Sequence, residues 1–187
     1  MAITDFSKMQ GNSVTFDEDT CTLITWETCQ TDPLTAYEGS KIIAEREAWK
    51  FYNQNKVIIK LKFPTGTSSY IFGLQVVNEN LHELLNGFNK IINQAANSTK
   101  SEDITPTNTQ CCHVYDAVKT HGLAIEEENL TDKRLFVTST AFDVQDILNY
   151  LNADFGQLKG KILVGTPDNN NEHPRPGAVV GKKKTRD

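Results

Sequence analysis

The stretch from Lys56 to Ala96 constrains the fold more than any other, because its periodicity changes partway along. In Lys56-Val-Ile-Ile-Lys-Leu-Lys-Phe63, the apolar residues Val57, Ile59, Leu61 and Phe63 alternate with Lys56, Lys60 and Lys62, and only Ile58 breaks the pattern. A period of two is what a half-buried strand requires. Pro64 to Ser69 supplies turn residues, and Tyr70, Phe72, Leu74 and Val76 resume the alternation, so a β-hairpin is predicted. Asn80 stands where an N-cap belongs. Leu81, Leu84, Leu85, Phe88, Ile91, Ile92 and Ala95 then recur at helical spacing. The expected unit is a hairpin feeding an amphipathic helix.

The flanking chain reads as further mixed structure. Val14-Thr-Phe16 and Cys21 to Trp26 are strand-like, with an acidic turn between them. Asp32-Pro33 offers a helix start, Asp32 as N-cap and Pro33 at the first helical position. The helix that follows, Tyr37 to Tyr52, carries Ala44, Ala48, Phe51 and Tyr52 on one stripe, with a strand over Lys41 to Phe51 as the alternative. Asn97 to Gln110 reads as a linker. Cys111 to His121 is expected to be a short helix closed by Gly122, and Arg134 to Thr138 a strand. Thr140-Ala-Phe-Asp143 marks a helix start, with Val144, Ile147, Leu148 and Leu151 behind it. Lys161 to Val164 is a last strand. The fold class predicted is α+β: a central hairpin and helix, a strand-helix-strand unit, and an extended polar C-terminal tail. The order β-α-β-β-α over 14–96 resembles the start of the split arrangement in ferredoxin-like and RNA-recognition domains. Ser69-Tyr-Ile-Phe-Gly73 lacks the basic-Gly-aromatic pattern of an RNA-recognition strand, so that resemblance implies topology alone.

At 187 residues the chain suits one domain that buries a core without disulfides or metal. The boundaries predicted are an arm at 1–12, an α+β body at 13–165 with a possible sub-boundary at 97–110, and a tail at 166–187. Five basic tail residues, Arg175, Lys182, Lys183, Lys184 and Arg186, against Asp168, Glu172 and Asp187 give the tail +2. With −5 overall, the remainder carries −7. The tail cations are the candidate partner-binding residues, facing phosphate or an acidic protein surface. No basic start leads into an apolar run, and no segment reaches membrane-span length. An intracellular or cytoplasmic site of synthesis is expected, with reduced cysteines.

Chemistry is hard to find. Cys111, Cys112, His113, Asp116 and His121 form the densest cluster of ligand-type residues, but adjacent cysteines do not give the paired bite of a zinc site. A catalytic Cys112/His113/Asp116 grouping needs its base to approach from elsewhere. Gly177 to Lys183 has one residue too few between its glycines for a phosphate loop and no Ser or Thr after Lys182. No dinucleotide fingerprint occurs, and no cofactor or metal is predicted. The polar Asn/Thr-rich composition, the missing catalytic motifs and the tail point to a non-enzymatic subunit of a large assembly, a bacteriophage or virion component forming homo- or hetero-oligomers with neighbouring subunits. The alternatives are a nucleic-acid-binding module using the tail and an enzyme with its site near Cys112, His113 and Asp116.

Overall fold

Asp32 starts α1 (Pro33–Asn55), the longest helix among the described residues. Its carboxylate accepts from the Leu34 and Thr35 amides at 3.0 and 3.1 Å, and also from the Thr35 hydroxyl. Those amides lack intrahelical partners at a helix start, which is why an Asp there holds the first turn. The same bonds, the Thr35 hydroxyl first, hold the Asp32 carboxyl below the usual carboxylate range. A group whose folded pKa is depressed stabilises the fold above its ordinary pKa and loses that contribution as the pH falls through the depressed value. Asp32→Ala is therefore expected to lower the melting temperature at neutral pH. Its deficit should shrink toward zero in acid, measured by thermal melts of both proteins across the carboxylate range.

The computed structural model describes residues 14–18, 20–74, 88–166 and 178–181. These form two compact units. The first takes the described residues up to Ser69, with Tyr115–Val137 and the strand at 178–181. The second takes the described residues from Tyr70 to Val114 and from Thr138 to 166. Helix and strand are mixed throughout, as an α+β chain requires.

In the first unit, β1 (Val14–Asp17) pairs in parallel with the strand Ala178–Gly181. β2 (Thr65–Ser68) pairs in parallel with the strand Arg134–Val137, Thr65 opposite Arg134. α1 lies on this second pair and buries Glu38, Gly39, Ile42 and Tyr52. Leu135, Phe136 and Val137 are buried on the strand side. In the second unit, β3 (Tyr70–Phe72) pairs in parallel with β4 (Asn108–His113), which pairs antiparallel with Thr140–Asp143. Its core gathers Ala95 of α2 (Asn89–Ala96) with Ile104, Leu148, Leu151 and Ile162. α3 (Val114–Glu126) follows β4 directly. In chain order the remaining elements are β5 (Arg134–Val137), β6 (Thr140–Asp143), α4 (Val144–Asp154) and β7 (Ala178–Gly181).

The predicted hairpin is absent. β2 and β3 are separated by Ser69 alone and take parallel partners far along the chain; a hairpin needs antiparallel neighbours and room to turn. Residues 56–63, expected as the first hairpin strand, are irregular. Val57 and Ile58, placed on the predicted strand, are 90% and 82% exposed. Asn80, Leu81, Leu84 and Leu85 lie outside the described residues, and α2 carries only the end of the expected stripe. Cys21 to Trp26 is not a strand, since β1 pairs with 178–181 instead. That pairing also replaces the expected extended tail with a strand over those four residues. The predicted linker runs into β4, which takes Cys111 to His113 out of the expected helix, and Gly122 sits inside α3. Lys161–Val164 is no strand, although Ile162 is buried. Asp143, not Thr140, caps α4, accepting from the Asp146 amide at 3.0 Å.

Candidate active site

Gly39 sets how closely the start of α1 is held. A Cβ there would fall 2.2 Å from Cys29 Cβ and 2.9 Å from its sulfur, so only glycine lets the 3-10 turn at Thr28–Gln30 pack against the helix. Gly39→Ala would remove a helix-weakening glycine, worth about 1 kcal/mol in an open helix. The overlap outweighs that gain. The variant is expected to be destabilised by about 1–3 kcal/mol, read from its urea midpoint.

Two arginines tie the rest of α1 down. Arg46 Nη2 donates to the Thr22 and Ile24 carbonyls at 3.3 and 3.2 Å. Arg134 of β5 meets Glu45 with two parallel bonds, Nε to Oε1 and Nη2 to Oε2, both 2.7 Å. Its Nη1 donates to the Thr20 and Glu18 carbonyls at 2.5 and 3.3 Å. Thr65 of β2 donates to Glu45 Oε1 at 3.2 Å. A cavity of about 350 Å³ beside this network is lined by Glu18, Cys21, Ile42, Arg46 and Trp49 with the ion pair.

The helix fixed in this way carries two tyrosines in different settings. Tyr52 is buried among Trp49 and Phe63, their ring centroids 6.0 and 5.1 Å away. A hydrogen bond with Asp132 pushes its phenol up, making it a poorer acid. Tyr37 is 42% exposed, and one turn along the helix Lys41 places its ammonium 5.4 Å from the Tyr37 ring centroid, within cation–π range. Residues four apart share a helix face, so this phenol and ammonium are presented together to the open side. A phenol can give a proton to an oxygen that is gaining negative charge, and an ammonium beside it stabilises the phenolate left behind. This pair was not singled out in the sequence. Its signal was a phenol and an amine at i and i+4, directly behind a marked N-cap.

The residues nominated from the sequence do not assemble. Cys112 is buried and His113 exposed, as successive residues of a strand must be when one face is covered. Burial, and then the Cys112 thiol, push the Cys111 thiol up, away from the thiolate a nucleophile or metal ligand needs. Asp116 is exposed in the first turn of α3. Among the described residues no three His, Cys, Asp or Glu side chains could hold a metal ion, and no helix is long and apolar enough to cross a membrane. Arg175, Lys182, Lys183, Lys184 and Arg186 lie outside the described residues.

No family model matches the chain. It is 34% identical over 185 residues, 99% of its length, to the NADPH-dependent methylglyoxal reductase of Saccharomyces cerevisiae, of which it covers 54%. It superposes on the crystal structure of yeast methylglyoxal/isovaleraldehyde reductase Gre2 complexed with NADPH with a TM-score of 0.89 at 33% identity, covering 96% of this chain and 53% of that one. Gre2 from Candida albicans gives a TM-score of 0.89 at 28% identity, over 99% of this chain and 55% of that one. The chain thus spans about half the length of the reductases it matches. These similarities overturn the expectation of a non-enzymatic bacteriophage or virion subunit, its location in a virion, and the neighbouring structural subunits or nucleic acid expected as partners. Composition had argued for that reading, and composition cannot separate an assembly component from part of an enzyme.

Proposed function

We propose that this chain supplies the proton-donating part of an NADPH-dependent reductase of small aldehydes or ketones. The observation that carries the reading is Tyr37 with Lys41 above its ring on the open side of α1, in a chain whose similarity to such reductases runs almost end to end. Reducing a carbonyl to an alcohol takes a hydride at carbon and a proton at oxygen. Tyr37 Oη is placed to give the proton. Lys41 then stabilises the phenolate, which regains its proton from water on the exposed face.

The residues present do not fit a dinucleotide. Its phosphates need a glycine-rich turn between a strand and a helix, where backbone amides approach closely. No two of the eleven glycines stand in a Gly-x-Gly relation. The described strand-to-helix junctions, His113 to Val114 and Asp143 to Val144, hold no glycine. What this chain contributes is the acid and its support.

The test is to co-express the chain with the part of the S. cerevisiae reductase that it does not match, then follow NADPH absorbance after adding methylglyoxal. Aldehyde-dependent loss of NADPH, absent when either polypeptide is omitted, supports the reading. An assembled but inert mixture would sink it.

A further inference from the structure

Arg46 and Arg134 line the same cavity in opposite chemical states. Each donor edge of Arg134 is engaged, Nε and Nη2 by Glu45 and Nη1 by two backbone carbonyls, and its side chain is only 13% exposed. Arg46 is exposed and commits Nη2 alone, to the Thr22 and Ile24 carbonyls. A guanidinium has five N–H groups, so the rest of this one stays available.

A second nucleophile stands beside it. Cys21 is an exposed free thiol on the same cavity. Its sulfur lies 3.7 Å from the Thr22 carbonyl oxygen that Arg46 Nη2 reaches at 3.3 Å, so thiol and guanidinium share one acceptor atom. Ile42 and Trp49 supply an apolar wall, and the volume of about 350 Å³ admits a molecule of a few heavy atoms. A thiol adds reversibly to an aldehyde carbon, and two guanidinium nitrogens can bond to adjacent carbonyl carbons. An α-oxoaldehyde offers both targets.

We propose that Arg46 is a covalent modification site for α-oxoaldehydes and that Cys21 is the thiol that first captures them. The inference rests on the reductase reading for the identity of the reagent. In the capture step an S–C bond forms and the thiol hydrogen passes to the carbonyl oxygen; reversal releases the dicarbonyl beside Arg46. Nη1 and Nη2 then each add an N–H across one C=O, nitrogen to carbon and hydrogen to oxygen, and no atom is lost. One water leaves to give a five-membered hydroimidazolone. Its ring carbonyl makes the guanidine a weaker base, so the cation's proton passes to solvent. No oxidant or reductant is consumed. Nη2 is now a ring atom and the charge is gone, so the Thr22 and Ile24 carbonyls lose their donor. Excess substrate thereby unties the segment ahead of the Thr28–Gln30 turn from α1, the helix that carries Tyr37.

The test uses the full chain alone, incubated with methylglyoxal, with the N-acetylated peptide Ile42–Lys50 as the unfolded reference. Fragment masses locate the adducts. In the chain, residue 46 should gain the mass of methylglyoxal, or that mass less one water, several-fold faster than in the peptide and ahead of Arg134. Cys21→Ala should remove the advantage over the peptide. Arg46→Lys keeps a cation for the carbonyls but cannot close the ring, so it should never yield the dehydrated product at position 46. Treatment should also speed chymotryptic cleavage after the exposed Trp26 several-fold in the parent and leave the Arg46→Lys rate unchanged. Circular dichroism checks that each variant is folded. Equal rates in chain and peptide, or an advantage that survives Cys21→Ala, would overturn the site, because Arg46 would then be merely an exposed arginine. Cleavage after Trp26 that treatment does not alter would overturn the release of the segment. A complemented enzyme that consumes no NADPH removes the reductase reading and leaves the adduct standing.

Discussion

Arg134→Met is expected to lower the stability of the chain by about 3 kcal/mol, close to the loss seen when one partner of a buried ion pair is removed. Arg134 and Glu45 are 13% and 16% exposed and joined by two 2.7 Å bonds. The variant leaves the Glu45 carboxylate facing the interior with only the Thr65 hydroxyl, and it frees the Glu18 and Thr20 carbonyls that Arg134 holds. The double variant Glu45→Leu with Arg134→Met should recover much of the loss, since two apolar groups of similar volume leave no charge unpaired. Urea unfolding of the parent, both single variants and the double variant gives the cycle. A single variant within about 0.5 kcal/mol of the parent, the range of ordinary surface changes, would show that the pair does not hold α1 to the sheet.

The second large effect concerns rate. In the complemented enzyme, Tyr37→Phe is expected to slow methylglyoxal reduction by about 10²–10⁴-fold, the usual contribution of a positioned general acid. Its KM should change little, because the ring is retained. Lys41→Met should also lower the rate, because the phenolate left behind then lacks the ammonium beside it. Tyr52→Phe is the control: its hydroxyl is turned to Asp132, so kcat should stay within a few-fold of the parent. Equal rates for Tyr37→Phe and parent would move the proton donor elsewhere.

Local signals in the sequence carried over well. Asp32-Pro33 starts α1, and Leu148 and Leu151 are buried on α4 as their spacing requires. The strand at Arg134 is also where periodicity puts it. Alternation, however, shows only that a strand has one covered face. It does not name the partner strand, so 56–76 read as a hairpin when β2 and β3 in fact take parallel partners more than thirty residues away. Ala44, Ala48, Phe51 and Tyr52 were read as one helical stripe from the same kind of evidence. Of these Tyr52 is buried, Ala48 is half-buried, and Ala44 and Phe51 are exposed, so spacing marks a stripe without saying which of its members are covered. The candidate acid was hidden for a different reason. A phenol and an ammonium one turn apart are common on helices, and their meaning depends on which side of the helix stays open.

The parallel pairing of Val14 with Ala178 also sets a timetable. On the ribosome, β1 waits for 164 further residues before its partner strand exists. At the usual ~5–20 residues per second that wait is about 8–33 s. During that time the edge of β1 that Ala178–Gly181 will take is open to other strands. The α1 helix, with its cap and its local Cys29 contact, can form meanwhile. The chain therefore gains its middle first and joins its two outer strands last, so a stalled or truncated product is left with an unpaired strand.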